Sequence, residues 1–582
     1  VTETKNSDLL SEGTAAATSA LMVVAILTYL FIVGDQPIWG TNDDVGMSLL
    51  AGGALLSSEP TSNLLFINPY YGVVLKNLYS TWPDVPWYAL LFLAILTLSL
   101  SVAGFSVLRN FRKPGRLWVL VIFYALYATC YVGFTHFQFT IISAISGLAS
   151  LLLATSLYFR VPESKGLSTA LICLSALLQL LSYLIRVSAC QMMLALIGPC
   201  VLALVTLSWI ARECTKRRNF HLITPLFITL VIGGLTQVLP LQEDAEDWAR
   251  WSRMNLARGN ITDYRRDLNK ERAIQAFRDV GWSENDYRMV TSWQYIDGER
   301  YTLEKFEKVS NILWSELPIS EVTRDSLLTR LQGSALEVFW SCPSVIAFCV
   351  LAIFCVEDRR VWIPFGCLLA TYGILTFYVQ FVLERAPLRV VYPLWFGVGW
   401  FALFSAIRYR NDSIRFQWGH IPRLVVLLLA FGLIRFEYTN LRVQSLNMAA
   451  AQTDLTNLMQ EWKLKLPEDA LVYDFGGMFP LLAHRPLTSF SYFRDFGQFL
   501  ANGTRNQSPV QNKMLQKYGL GSQFYPRLAE KELYLVLPYD VEHPMYKLAL
   551  DAFRTHYKEV YQIDVSLEES ESIRRLLKLE FN

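Results

Sequence analysis

Charge is what this sequence has least of for its length. Only 18% of its 582 residues are Asp, Glu, Lys or Arg, against 53% apolar, a balance that excludes an ordinary soluble protein of this size. The net charge of +2 gives no basic surface for nucleic acid and no strong pull on an acidic partner. Histidine is scarce as well. Six are present, with no close pair and no HExxH, which argues against a histidine-built zinc site. No GxSxG nucleophile motif occurs, and FGGMFP (475–480) lacks the spacing of a phosphate-binding glycine motif. The nine cysteines run from Cys130 to Cys367, all in apolar runs or at their edges. The polar segments are therefore expected to fold without disulfides, which leans towards a bacterial protein, where the sequons at Asn260 and Asn502 carry no weight.

What the chain has in quantity is apolar runs. Windows of roughly 20 residues, long enough to cross a bilayer, recur at 14–34, 85–108, 116–133, 140–158, 166–186, 190–210, 221–241, 336–356, 361–382, 389–407 and 421–435. The reading is a polytopic α-helical membrane protein of about eleven spans. The loops alternate in the way the positive-inside rule demands. One set holds Arg109, Arg112, Lys113 and Arg116, then Arg160 and Lys165, then Arg212, Lys216, Arg217 and Arg218, then Arg359 and Arg360, then Arg408, Arg410, Arg415 and Arg423. The opposite short loops hold only Lys76, Arg186, Arg385 and Arg389. That predicts a cytoplasmic N-terminus, an extracytoplasmic C-terminus, and a first span that acts as an uncleaved signal anchor.

Two domains are expected: a transmembrane domain over 1–435 and an extracytoplasmic soluble domain over 436–582. The transmembrane part carries two long outward segments. In the first, 35–84, VGMSLLAGGALL (45–56) and SNLLFINPYYGVVLKNLYSTWP (62–83) read as short helices lying in the membrane interface, the second broken near Asn68-Pro69. The second, 242–335, is polar, Trp-rich and helical, and is expected to cap the outer face. In the soluble part ALVYDF (470–475), ELYLVLP (532–538) and EVYQIDV (559–565) read as strands. PMYKLALDAFRTHYK (544–558) reads as a helix with Pro544 in its first turn, giving a small α/β domain.

Asp43 and Asp44, in WGTNDDVGMSL (39–49), directly follow the first span. Helix capping near Val45 explains one acid more readily than two. Adjacent acids beside an apolar segment repel, and such a pair often has a raised pKa suited to general-base work. Arg385 and Arg389, in VLERAPLRVVYP (382–393), lie on the side where arginine is disfavoured. Snorkelling or pairing with Glu384 accounts for them in part, but guanidinium is also the group shaped to grip phosphate. Arg186, ending the fifth span, joins them as a weaker phosphate candidate. His136, Glu384 and Tyr392 are candidate substrate contacts.

The outward acidic pair after span one, the long first loop and the many spans resemble the GT-C glycosyltransferases. TNDDVGMSLLAGG (41–53) resembles their first-loop acidic motif, and ERAPLRVVYPLW (384–395) a later arginine–proline motif. The resemblance covers roughly 14–435 and implies transfer of a sugar from a polyprenyl-phosphate donor to a glycan, glycolipid or protein acceptor, with inversion, at the outer face of a bacterial plasma membrane. It implies that Asp43 or Asp44 acts as base and that Arg385, Arg389 and Arg186 hold the donor phosphate. Some members hold a divalent metal (Mg or Mn) with a second acid; Glu59 and Asp84 are available, and nothing singles them out. A polysaccharide polymerase or ligase would need no first-loop acid pair. A lipid-linked-sugar transporter would place charges deep inside its spans, where this sequence has almost none. A non-catalytic scaffold would bind no lipid phosphate.

Overall fold

The computed structural model describes the chain except for residues 1–9, 112–115, 211–218, 239–244, 265–269, 316–328, 330–331, 334–335, 338–339, 355–360, 384, 409–419, 475–482, 495, 522–523, 537–543 and 570–574. Glu384, FGGMFP and many of the loop arginines and lysines lie outside the described residues.

Apolar periodicity became helix wherever it ran long. Among the described residues, eight helices are long and apolar enough to span a bilayer. They are α1 (Glu12–Gly34), α4 (Trp87–Leu108), α5 (Arg116–Thr135), α6 (Phe139–Phe159), α7 (Lys165–Ile185), α8 (Val187–Ile210), α15 (Trp362–Phe377, extended by a π-turn to Val382) and α16 (Leu388–Arg408). Two further runs form the shorter apolar helices of α9 (Asn219–Val238) and α14 (Pro343–Phe354). The last expected span, 421–435, is instead the start of one 46-residue helix, α17 (His420–Lys465). No Pro or Gly break follows Arg435 to stop it, so the helix runs about 70 Å at 1.5 Å per residue and carries the chain directly into the C-terminal domain. The protein is a polytopic helical membrane protein with a small C-terminal α/β domain.

Helix α6 is the hub, buried along its whole length against α4, α7, α8, α9 and α16. Its serines recur at Ser143, Ser146 and Ser150, one face of a helix. They donate to the α7 carbonyls of Ser182 (2.7 Å), Leu178 (2.8 Å) and Ser175 (2.7 Å) in descending order, as antiparallel helices require. Small residues let the backbones approach, and each hydroxyl is satisfied without water.

At the opposite end from the cap, α1, α4 and α6 are locked by charge. Arg109, fully buried, donates to Glu12 (2.8 and 3.0 Å) and to the carbonyl of Arg160 (2.8 Å). Arg160 in turn donates to the carbonyls of Leu10 and Arg109.

Of the two helices expected in the first loop, the first is enclosed by protein and the second is partly exposed. Helix α2 (Asn42–Gly52) is buried over Asp44–Gly52, beneath α3 (Pro69–Thr81) and against Phe490 of the C-terminal domain. It ends at Gly53 with φ +63, where a Cβ would lie 2.5 Å from the Pro60 nitrogen, so only glycine closes this helix. Asn68 caps α3 by accepting from the Tyr70 amide at 3.0 Å, which explains the expected break.

The described residues of the 242–335 segment form four main helices: α10 (Ala245–Thr262), α11 (Lys270–Asp279), α12 (Glu284–Thr291) and α13 (Leu303–Trp314). It shares a hydrophobic core with the C-terminal domain, its Trp248, Trp251 and Trp282 packed in one cluster with Tyr473, Tyr525 and Tyr557. That domain is a five-stranded sheet in the order β2-β1-β3-β5-β4, from β1 (Leu471–Asp474), β2 (Gln498–Ala501), β3 (Leu533–Val536), β4 (Val565–Glu569) and β5 (Leu576–Phe581). β2 and β3 flank β1 in parallel, and β5 pairs antiparallel with both β3 and β4. Strands stand at Leu471–Asp474 within ALVYDF and at Leu533–Val536 within ELYLVLP, whose last residues lie outside the described residues. EVYQIDV is not: 557–561 extends α18 (Pro544–His556) as a π-turn, and the strand begins only at Val565. Tyr557 is buried on the helix's own apolar face, and tertiary packing overrides the β propensity of Val and Tyr there.

Removing the Glu12 carboxylate should leave buried Arg109 uncompensated. Glu12→Ala is expected to destabilise the bundle by about 3–5 kcal/mol, read as an earlier thermal unfolding transition in detergent than that of Glu163→Ala, an exposed acid with no ion pair recorded.

Candidate functional site: a cationic cavity at the seam of bundle and cap

Three residues of backbone pairing place the acidic pair. Ile38 and Gly40 donate to the carbonyls of Phe134 (2.8 Å) and Phe137 (3.1 Å), and Phe137 donates back to Ile38 (2.8 Å). This fixes the start of α2 against the first turn of α6. The helix begins at Asn42 with Thr41 as its N-cap residue, so both acids sit in its first turn rather than capping it. Acids there are favoured by the exposed N–H groups.

The two carboxylates then part company. Asp44 is completely buried. Its Oδ1 accepts from the Phe139 amide (2.9 Å) and the Tyr88 hydroxyl (3.2 Å), and its Oδ2 from the Thr41 hydroxyl (2.9 Å). Burial pushes its pKa up to about 7, against the pull of those donors. Asp43 faces the other way, into a cavity of about 600 Å³ between the bundle, α10 and the C-terminal domain. Burial raises its pKa too, while Arg389 and Arg186 draw it back.

Arg389 stands in the first turn of α16, the wrong end of a helix for a cation. Asp43 compensates it, with Nη1 to Oδ2 at 3.8 Å. Arg385, in the extended link before α16, pairs with Asp263 at 3.2 Å and lies 5.7 Å from the Tyr264 ring. Arg186 follows α7 in extended backbone, held by Ser188 at 3.0 Å, with its guanidinium 5.4 Å from both the Phe66 and Phe139 rings. All three expected arginines therefore line the cavity with Asp43.

Two more line it that the sequence did not single out: Arg258 from α10 and Arg505 from the C-terminal domain. Arg258 is 3% exposed, pairs with Asp263 at 2.8 Å, donates to Asn255 (2.7 Å) and Thr262 (3.1 Å), and lies over Trp293 at 4.3 Å. Arg505 donates to the carbonyls of Ala501 (2.9 Å) and Asn502 (3.3 Å). The loop that carries it is anchored by buried Asn502, whose amide donates to Gln294 and Tyr473, both at 2.7 Å. That burial closes the 502 sequon to modification. The only sequence signal for Arg258 was its helical spacing within a Trp-rich insert; Arg505 gave none.

His136 and Tyr392 are brought together, but away from the cavity wall. Their rings pack edge-on at 5.1 Å, and the His136 Nδ1 lies 3.0 Å from the Thr135 hydroxyl. Burial pushes His136 down to about 4, so it is neutral at neutral pH. Glu384 lies outside the described residues. Glu59 is exposed on its loop, and Asp84 pairs with Arg494 at 2.9 Å; neither lines the cavity. Among the described residues no three His, Cys, Asp or Glu side chains lie close enough to hold a metal ion; Asp43 and Asp263 are the carboxylates the cavity offers one.

The fold and the cavity define a polytopic membrane protein with five arginines and two carboxylates converging where its bundle meets its cap. No protein-family model matches the chain, and no curated protein matches it. Among solved structures it is similar to ArnT from Cupriavidus metallidurans bound to undecaprenyl phosphate, at 12% identity and a TM-score of 0.39, over 97% of this chain and 98% of that one. It is also similar to ArnT from the same organism in the apo state, at 14% identity and a TM-score of 0.37 over the same shares. That likeness assigns no residue of this chain a role.

The burial of Asp44 has a consequence for stability. A carboxyl raised from 3.8 to about 7 contributes stability that is full below its unfolded value and lost as pH rises through 7, on the order of 4 kcal/mol at 1.36 kcal/mol per unit. The melting temperature of the wild type in detergent should fall between pH 5 and 8. Asp44→Asn, which keeps the shape and three hydrogen-bonding positions without the charge, should remain level across that window.

Proposed function

We propose that this protein is a glycosyltransferase of GT-C type that moves a sugar from a polyprenyl-phosphate donor to an acceptor hydroxyl. The observation that carries the reading is the cavity itself: Asp43, one of its two carboxylates, stands among a set of guanidinium groups at the end of an apolar bundle. A lipid-phosphate sugar needs that combination. Its chain stays in hydrocarbon, its phosphate needs cations, and its anomeric carbon needs an activated nucleophile.

In this mechanism Asp43 takes the proton from the acceptor hydroxyl as its oxygen bonds to the anomeric carbon. The bond from that carbon to the phosphate oxygen breaks, and the configuration inverts. Negative charge grows on the leaving phosphate, where Arg385, Arg389 and Arg186 stabilise it in a site shielded from water. Asp44 is a positioning residue, because both its oxygens are engaged within the protein and none reaches the cavity. The loop charges support an extracytoplasmic cavity in a bacterial plasma membrane. The acceptor is a glycan, glycolipid or protein.

Asp43→Asn should lower transfer by at least a hundredfold, the span of a lost general base, without loss of folded protein. Cells carrying it in place of the wild type should accumulate the same lipid-linked sugar as cells lacking the gene. Normal glycans in both would remove the proposal. Normal glycans with Asp43→Asn, combined with their loss in Arg385→Ala, would favour a polymerase or ligase instead.

The pH profile tests the pairing. Arg389 holds Asp43 below the value its burial would otherwise impose, so the base is lost as pH falls through that raised pKa. Arg389→Gln should move the acid limb of kcat/KM to higher pH, and Arg389→Lys should move it less.

A further inference from the structure

Arg258 poses an energetic problem. A guanidinium 3% exposed has lost most of its hydration, a cost that an adjacent anion offsets, and the anion beside it is Asp263. One oxygen of that carboxylate, Oδ2, takes both Arg258 (2.8 Å) and Arg385 (3.2 Å), while Oδ1 accepts from the Thr262 hydroxyl (3.2 Å). A single oxyanion thus bridges two guanidinium groups from opposite walls, one on the cap and one on the bundle, in the cavity that also holds Asp43. This is the geometry a phosphate oxygen would adopt between the same two groups.

We infer that the Asp263 carboxylate occupies the subsite of the donor phosphate, with Arg258 and Arg385 as its two walls, and that donor binding exchanges one anion for the other. The inference rests on the proposed donor and narrows where its phosphate sits. The surroundings favour such an exchange. Arg258 keeps its place without Asp263, held by Asn255, Thr262 and the Trp293 ring. Asp263 follows the last residue of α10, where its own amide and that of Tyr264 both donate to the carbonyl of Gly259, so the exchange moves its side chain and not the end of the helix. The carboxylate prevents two cations, buried Arg258 and partly exposed Arg385, from facing each other uncompensated, and it also competes with any phosphate for them. Affinity for the donor is therefore set below what the arginines alone would give.

Asp263→Asn, which keeps the shape and removes the charge, separates competitor from scaffold. Binding is measured in detergent for the wild type, Asp263→Asn, Arg385→Ala and the double variant, with undecaprenyl phosphate and with inorganic phosphate as probes. Asp263→Asn should bind both probes roughly tenfold more tightly, the scale of one charge-assisted contact, and the gain should vanish in the Arg385→Ala background. A gain for inorganic phosphate, with no undecaprenyl phosphate bound by any variant, would uphold the exchange and overturn the donor. No gain with either probe, whether binding is unchanged, weaker or absent, would overturn the inference, as would a gain that survives Arg385→Ala.

Discussion

The amide of Phe139 opens helix α6, and its hydrogen points at the buried carboxyl of Asp44. Most of the site depends on that one bond. Helix α6 is the most enclosed element of the bundle, so whatever is tied to its first residue is tied to the rigid centre of the molecule. Asp44 also holds Tyr88 of α4 and Thr41 of its own turn. The start of α2 is thereby fixed to two spans at once. With Asp44 turned inward, the next residue back along the helix turns outward, and Asp43 meets the cavity because of it. Adjacent acids in a helix point about 100° apart; the protein uses one as an anchor and exposes the other.

A second constraint follows from burying so much charge at the mouth of an apolar bundle. Five guanidinium groups in a semi-enclosed cavity repel one another, and each loses part of its hydration. Their partners are spread over four kinds of group: carboxylates at Asp43 and Asp263, aromatic faces at Phe66, Phe139, Tyr264 and Trp293, backbone carbonyls at Ala501 and Asn502, and neutral side-chain oxygens at Ser188, Asn255 and Thr262. Two acids cannot neutralise five bases. The cavity keeps a surplus of positive potential, which the proposed anionic donor would complete.

What the sequence revealed follows the range of the forces involved. Most of the spans and the break at Asn68 are written in local composition, and helices stand there; the acidic pair and the arginines beside α16 are local signals too, and the fold brings Asp43 and those arginines to one cavity. Arg258, Asp263 and Arg505 are not legible, because nothing within a few residues of them tells which way the 242–335 segment or the 502–505 loop will face. Their placement is decided by packing between segments more than 200 residues apart, through contacts such as Asn502 to Gln294. His136 failed for a related reason. A lone histidine beside a span has the same local signature whether it faces a cavity or an aromatic ring, and here it packs on Tyr392. The strand expected at 559–565 failed because Val and Tyr serve a helix face as well as a pleat when a core waits on that side.

The position of the cavity is itself a consequence of how the molecule is built. One hydrophobic core runs through the bundle and on to one face of the C-terminal sheet, and a second joins the other face to the cap helices. Each core excludes unpaired charge, so charged groups that must be close yet partly dry collect at the seam between them. Arg385, Arg389, Arg186 and Asp43 come from the bundle side of that seam, and Arg258, Asp263 and Arg505 from the other. Since cap and C-terminal domain share a core, the groups on the far side are carried by one body. A ligand that engages both sides is gripped between two units, each rigid because of its own packing. Inside the cavity, the ion pair from Asp263 to Arg385 already joins those units through charge, as Arg485 with Asp35 and Arg494 with Asp84 do elsewhere.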